Sequence, residues 1–248
     1  SDRPSLDTNS SQITLTTAVG KANYALMSHT LRSRLKMMII HRSSSKKVIK
    51  DLSKIVGDAG EEATVAFMVE KWGVNPHRIP GYSSKAGVPS RFGLSNKSGH
   101  GLDLLVWVPP PPSLTVRVPP EEAMYRSIDG IKKTAPVQTL TFTEDTLLVI
   151  ESKSTLGLTR TPGFNETQKF GGQAKVEQLL WKIRDGRGGW SQKNRLEVDP
   201  ASDFKIKEIK KSLSSDNIKY LHAQVFFDSN GNLNPLIGNG SGIQLNIW

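Results

Sequence analysis

Leu147-Leu148-Val149-Ile150-Glu151-Ser152-Lys153-Ser154 is the stretch on which the fold turns. Its four consecutive apolar residues read as a strand buried on both faces, yet they run straight into a carboxylate and an ammonium. A second run, Leu104-Leu105-Val106-Trp107-Val108, is entered through Gly101-Leu102-Asp103 and stopped by Pro109-Pro110-Pro111-Pro112. Proline cannot donate to a sheet ladder, so that strand ends there. Buried strands avoid charge because its desolvation is costly. Either Asp103 and Glu151 sit at solvated strand ends, or the two strands bring them together.

Working outward, residues 46–72 carry Val48, Leu52, Ile55, Val56, Ala59, Ala63, Phe67 and Val69 at helical spacing. Gly57 and Gly60 weaken the middle, which suggests two helices meeting near Gly57, and Gly73 suits a C-terminal cap. A Gly-, Ser-, Lys- and Pro-rich loop over about 80–99 follows. Residues 109–136 read as an inserted excursion with an edge strand at 114–118. Residues 137–142 and 146–152 read as the arms of a hairpin around Thr143-Glu144-Asp145. After a loop at 155–165, helices are expected over 167–185 and 204–213, the second with Phe204, Ile209 and Leu213 on one side. Strands are expected over 219–228 and 243–248, with a turn at Asn230-Gly231. Residues 1–16 read as a flexible lead-in and 18–40 as a basic helix that packs on or links to the domain, a membrane-surface helix being the minor alternative. The division is thus a lead-in and linker over 1–45 and one domain over 46–248. The order of elements implies an α/β architecture, a mixed sheet packed on helices.

Adjacent strands lie about 4.8 Å apart, so carboxylates on neighbouring strands can share one ion. Mg²⁺ takes hard oxygen ligands, typically one or two carboxylates with waters and substrate phosphate. Strand alternation puts Glu151 and Lys153 on one face, where a lysine can orient water and stabilise charge on a phosphate. Asp/Glu-x-Lys occurs three times, at Glu151, Asp203 and Glu208. Only Glu151 follows an apolar β run and has an Asp-bearing strand before it, which singles it out.

The net charge of +10 and a pI near 9.7 point to an anionic partner, most simply nucleic acid. Lys169, Lys175, Lys182, Arg184 and Arg187 form one basic stretch and Lys205, Lys207, Lys210 and Lys211 another. The absence of cysteine excludes disulfides and thiolate zinc sites. The five histidines show no H-E-x-x-H, and neither G-x-S-x-G nor a P-loop is present. No apolar run reaches the length of a membrane span. The Ser1-Asp2-Arg3 start, without Met or signal-peptide pattern, suggests a piece of a larger protein.

The arrangement resembles the PD-(D/E)XK nuclease superfamily, with its restriction-endonuclease-like α-β-β-β-α-β core and mixed sheet flanked by helices. It is most similar to nuclease domains of bacterial polymorphic toxins and secretion-system effectors. The likeness spans about 46–228 and is carried by Gly99-His100-Gly101-Leu102-Asp103, by Ile150-Glu151-Ser152-Lys153 and by Gly60-Glu61 opening the run to Lys71-Trp72-Gly73. It departs from the family in lacking a proline before Asp103 and in its long insertion. The resemblance implies a Mg²⁺- or Mn²⁺-dependent DNase. Asp103, Glu151 and the Ser152 carbonyl would be ligands, Lys153 the catalytic lysine, and Glu61 would reach the metal directly or through water. Gln173 would be the glutamine of the second core helix. His100, Lys169, Lys175 and Arg160 would contact nucleic acid. It further implies delivery of a secreted effector into a target cell's cytoplasm and an acidic immunity protein in the producer. The rivals are an RNase acting on tRNA, an inactive nucleic-acid-binding module, and a repair or restriction nuclease.

Overall fold

A computed structural model describes residues 33, 35–39, 46–75, 78–81, 91–110, 113–118, 128–129 and 136–248. The polar lead-in and most of the helix expected over 18–40 lie outside the described residues, as does most of the loop before Arg91. Residues 35–39 are helical, and Leu35 is buried in the main core.

One six-stranded mixed sheet organises the chain. Its strands are β3 (Leu104–Val108), β7 (Thr146–Leu156), β9 (Ile218–Phe227), β10 (Ile243–Ile247), β4 (Ser113–Arg117) and β6 (Val137–Thr141), in that spatial order. β7 is antiparallel to β3 and parallel to β9 over the whole register from Leu147↔Ile218 to Leu156↔Phe227. This is why Leu147 to Ile150 are apolar without alternation: both faces of β7 are covered. Two-residue strands β1 (Leu94–Ser95) and β2 (Gly101–Leu102) pair with each other, as do β5 (Ile128–Asp129) and β8 (Arg160–Thr161).

Helix α1 (Lys46–Lys71) covers one face, packing Ile55, Val56, Ala59 and Ala63 with Leu148, Ile150, Leu221, Ala223 and Val225. Helices α2 (Gly172–Asp185) and α4 (Ser202–Ser214) cover the other, where Val176, Leu179, Ile183, Ile206 and Ile209 meet Leu105, Trp107, Leu147 and Val149. α3 (Gln192–Val198), capped by Ser191 accepting from the Asn194 N–H, precedes α4. α1 is one continuous helix rather than two. A Cβ at Gly57 would meet nothing within 4 Å, whereas one at Gly60 would lie 1.7 Å from Ser154 Oγ and 2.8 Å from its Cβ. Gly60 is therefore where α1 touches β7, and Gly73, at φ 63, ends the helical segment as expected.

Several expectations need correction. β6 and β7 do not form a hairpin: β6 pairs with β4 at the far edge. Its exposed Thr and Gln suit an edge strand, while the two-sided apolar β7 is completed by β3 and β9. The excursion after Pro109 is not outside the core, since β4 enters the main sheet parallel to β10 and buries Leu114 and Val116. β6 and β7 run in the same direction and only residues 142–145 join them, so the sheet must twist strongly to bring the end of β6 to the start of β7. β3 is an edge strand. α2 begins at Gly172, not at residue 167, because Gly171 adopts φ 98 and a Cβ at Gly172 would strike the Tyr220 ring. Phe204 faces solvent; Lys205, Ile206 and Ile209 are the buried face of α4.

Candidate active site

Glu151 lies in the interior of β7, not at its end, because the strand continues to Leu156. Odd-numbered residues of β7 face α2, so Glu151 and Lys153 share a face with His222 and Gln224 of β9. Asp103 occupies the break between β2 and β3. Beyond the last β3–β7 pair, Leu104↔Ile150, its Oδ2 accepts the Ser152 N–H at 2.9 Å. The two carboxylates are thus held at one point by a backbone bond. Because a strand residue projects its N–H and C=O to the same edge, the Ser152 carbonyl also projects toward the Asp103 edge.

Glu151 is nearly sealed from solvent and has two neighbours on Oε1. Gln168 Nε2 donates to it at 2.6 Å, and Lys153 Nζ stands 3.6 Å away. Gln168 cannot turn its amide round without loss, since its Oε1 accepts the Asn165 N–H at 3.0 Å. Its own carbonyl accepts Trp248 Nε1–H at 3.0 Å, which ties the loop to the end of β10. Lys175 donates to Thr167 Oγ1 at 2.9 Å. A cleft of about 400 Å³ reaches Asp103 and Glu151, with Gly99, His100 and Gly101 on one wall, Asn165, Thr167, Gln168, Lys175, Gln178 and Lys182 on another, and Trp190 also lining it.

The electrostatics show crowded negative charge. Burial, then the Asp103 charge, holds the Glu151 carboxyl well above the usual range against the pull of Lys153 and Lys175. Burial also raises Asp103, opposed by the Ser152 N–H and Lys153. Glu61 is raised well above its ordinary value by burial and then by Asp103, Asp58 and Glu151. Burial lowers Lys175, opposed by Glu151. Such an excess of buried carboxylate favours a bound cation or proton.

The structure brings Asp103, Glu151, Ser152 and Lys153 together and puts Glu61 within their field. Glu62, its neighbour, turns instead to Arg91, 3.3 Å from Nη1 to Oε2, in a buried ion pair. Gln173 does not reach the site: it is exposed on α2 and bonds Glu177 at 3.0 Å. Helix phase explains the difference, because Val176 and Leu179 take the buried face. The glutamine at the site is Gln168, on the loop before α2. The signal for it was the Asn165-Glu166-Thr167-Gln168 turn, where Asn165 Oδ1 accepts from the Thr167 N–H and hydroxyl. His100 and Lys175 line the cleft. Lys169 pairs with Glu166 at 2.5 Å, and exposed Arg160 sits on β8 opposite Asp129, neither lining the cleft. Lys205 is no surface cation: it is buried, donating to Gly93 O at 2.8 Å and pairing with Asp199.

Below the 157–171 loop lies a buried polar strip. His222 Nδ1 is 3.2 Å from Asn246 Nδ2, which also donates to Gln224 Oε1 at 3.0 Å, and Gln224 Nε2 donates to Thr161 Oγ1 at 2.9 Å. The Phe164 ring closes over His222 edge-on at 4.7 Å. Burial, with Lys153 adding to it, pushes the His222 imidazole down to about 3, so it is neutral.

Among the described residues no group of three or more His, Cys, Asp or Glu is arranged to hold an ion unaided. The donor set on offer is two carboxylates and a carbonyl, all hard oxygens, which fits an octahedral cation that keeps waters. No helix among the described residues is long and apolar enough to cross a membrane. Comparison of the chain with protein-family models, with curated proteins and with solved structures gave no match.

Proposed function

We propose that the chain is a Mg²⁺- or Mn²⁺-dependent nuclease of PD-(D/E)XK type that hydrolyses phosphodiester bonds in DNA. One observation carries the reading: Glu151 of β7 and Asp103, at the entry to the neighbouring β3, are held together through the Ser152 N–H, with Lys153 beside Glu151 and a lysine-lined cleft at the two carboxylates. Asp103, Glu151 and the Ser152 carbonyl would hold the cation, which would supply Lewis acidity for the hydrolysis. In the reading that the resemblance implies, Lys153 would orient the attacking water and neutralise charge building on the phosphate oxygens. Gln168 fixes the Glu151 carboxylate, and Glu61 adds negative charge behind the pair. The effector-toxin role, delivery into a target cell and an acidic immunity protein rest on the sequence resemblance; the +10 charge is complementary to such an inhibitor.

The test is plasmid cleavage with Mg²⁺, Mn²⁺ or EDTA, beside Glu151→Ala and Lys153→Ala, with RNA in parallel. Metal-dependent DNA cleavage lost in both variants supports the proposal. Cleavage of RNA alone moves the assignment to a ribonuclease, and folded protein that cuts neither refutes it.

A further inference from the structure

The cleft has two walls of opposite character. The Gly-rich wall looks suited to cradling a phosphate on backbone N–H groups, but those of Ser98, Gly99 and His100 are spent. Asn96 Oδ1 accepts from Ser98 N at 3.0 Å and from His100 N at 3.1 Å, and the Asn96 carbonyl accepts Gly99 N at 2.9 Å. Asn96 Nδ2 is itself anchored to Gly188 O at 2.7 Å across the top of α2. Attraction for an anion therefore falls mainly to the opposite wall. There Lys175, Gln178 and Lys182 lie at i, i+3 and i+7 of α2, a single stripe facing the cleft. The two lysines are close enough for each charge to be felt by the other. The acid in mid-helix, Glu177, is on the exposed side with Gln173.

We infer that this stripe is a phosphate track, along which one strand of nucleic acid runs from Asp103 and Glu151 toward Lys182 at the Gly188 end. Seven residues of helix span about 10 Å, enough for the track to follow a short run of backbone phosphates. It grips backbone rather than bases, and predicts binding indifferent to sequence. It also separates the two basic stretches. α2 carries the binding lysines, while the more lysine-rich α4 does not line the cleft: Lys205 is buried within the fold, and Lys207 and Lys210 are exposed elsewhere.

The inference rests on the nuclease reading, and its test is made without catalysis. Binding of fluorescent DNA oligonucleotides of two unrelated sequences is measured by anisotropy in EDTA across a salt series, for the wild type, Lys182→Ala and Lys207→Ala/Lys210→Ala. Loss of one phosphate contact should flatten the log–log salt slope by about 0.9 for duplex or about 0.7 for single-stranded DNA. That change is expected in Lys182→Ala for both sequences, and not in the α4 double variant. A salt slope unchanged in Lys182→Ala, or flattened only in the α4 variant, overturns the track while leaving the nuclease reading intact. No salt-dependent binding by folded wild type overturns both.

Discussion

Two glycines three residues apart in α1 should respond in opposite ways to the same substitution. At Gly57 a methyl group meets open space, so Gly57→Ala gains helix propensity alone and stabilises by roughly 0.5–1 kcal/mol. At Gly60 the new Cβ would sit 2.8 Å from the Ser154 Cβ. The Ser154 hydroxyl can rotate away, but its Cβ is fixed to the backbone of β7. An ordinary carbon–carbon contact is about 3.5–4.0 Å, so α1 must retreat by about 1 Å. Overpacking of this kind costs roughly 1–3 kcal/mol, which outweighs the propensity gain. For a chain of this size about 1 kcal/mol corresponds to about 2 °C in Tm. Thermal melts should therefore place Gly60→Ala roughly 2–6 °C below Gly57→Ala. Ser154→Gly should recover most of the loss in the Gly60→Ala background, a coupling that a double-mutant cycle isolates. Because Glu61 follows Gly60, the same retreat should reduce nuclease activity by more than the melt implies. Equal melting of the two alanine variants, or no coupling to Ser154, would refute the contact and with it the placement of Glu61.

Three further outcomes are expected. Gln168→Ala removes the donor 2.6 Å from Glu151; it should weaken Mn²⁺ binding, followed by calorimetry, by about 10–100-fold while Gln173→Ala does not. His222 is held neutral with its imidazole lowered to about 3, whereas the unfolded chain takes up that proton below about 6.5. Its contribution to stability is thus full above that pH and lost as pH falls toward 3, at up to roughly 1 kcal/mol per pH unit. The raised carboxyls of Glu61, Asp103 and Glu151 act in the opposite direction, so the measurement is the difference in urea stability between wild type and His222→Gln; a flat difference from pH 7 to 4 would count against it. Lys205→Met strands Asp199 and frees Gly93 O; a loss of roughly 3–5 kcal/mol is expected in urea unfolding, against little change for exposed Lys207→Met.

Much of this was legible because the decisive strands are apolar without relief. The runs at Leu104 and Leu147, and those around Leu221 and Leu245, could only be buried, and Asp103 and Glu151 stood out against them. What failed depended on information far away in the chain. Residues 137–152 have the local pattern of a hairpin, but both edges of β7 are taken by β3 and β9, and β6 pairs with β4 instead. Gln173 misses the site because α2 begins only at Gly172, where a side chain would strike Tyr220, 48 positions downstream, a contact the local sequence does not reveal. Lys205 reads as one of many surface lysines until Asp199 and Gly93 are seen to enclose it.

The bonds that assemble the site join residues distant in sequence: 49 positions for Asp103 with Ser152 and 80 for Gln168 with Trp248. The parallel β7–β9 ladder likewise joins segments separated in the chain by α2, α3 and α4. Topologies dominated by such non-local pairs fold slowly, because loop closure is unfavourable until the distant partners meet. No short fragment can carry a working site, and it should form with the last cooperative step of folding. Activity on refolding from urea should therefore reappear together with the tertiary signal and lag any early helical one.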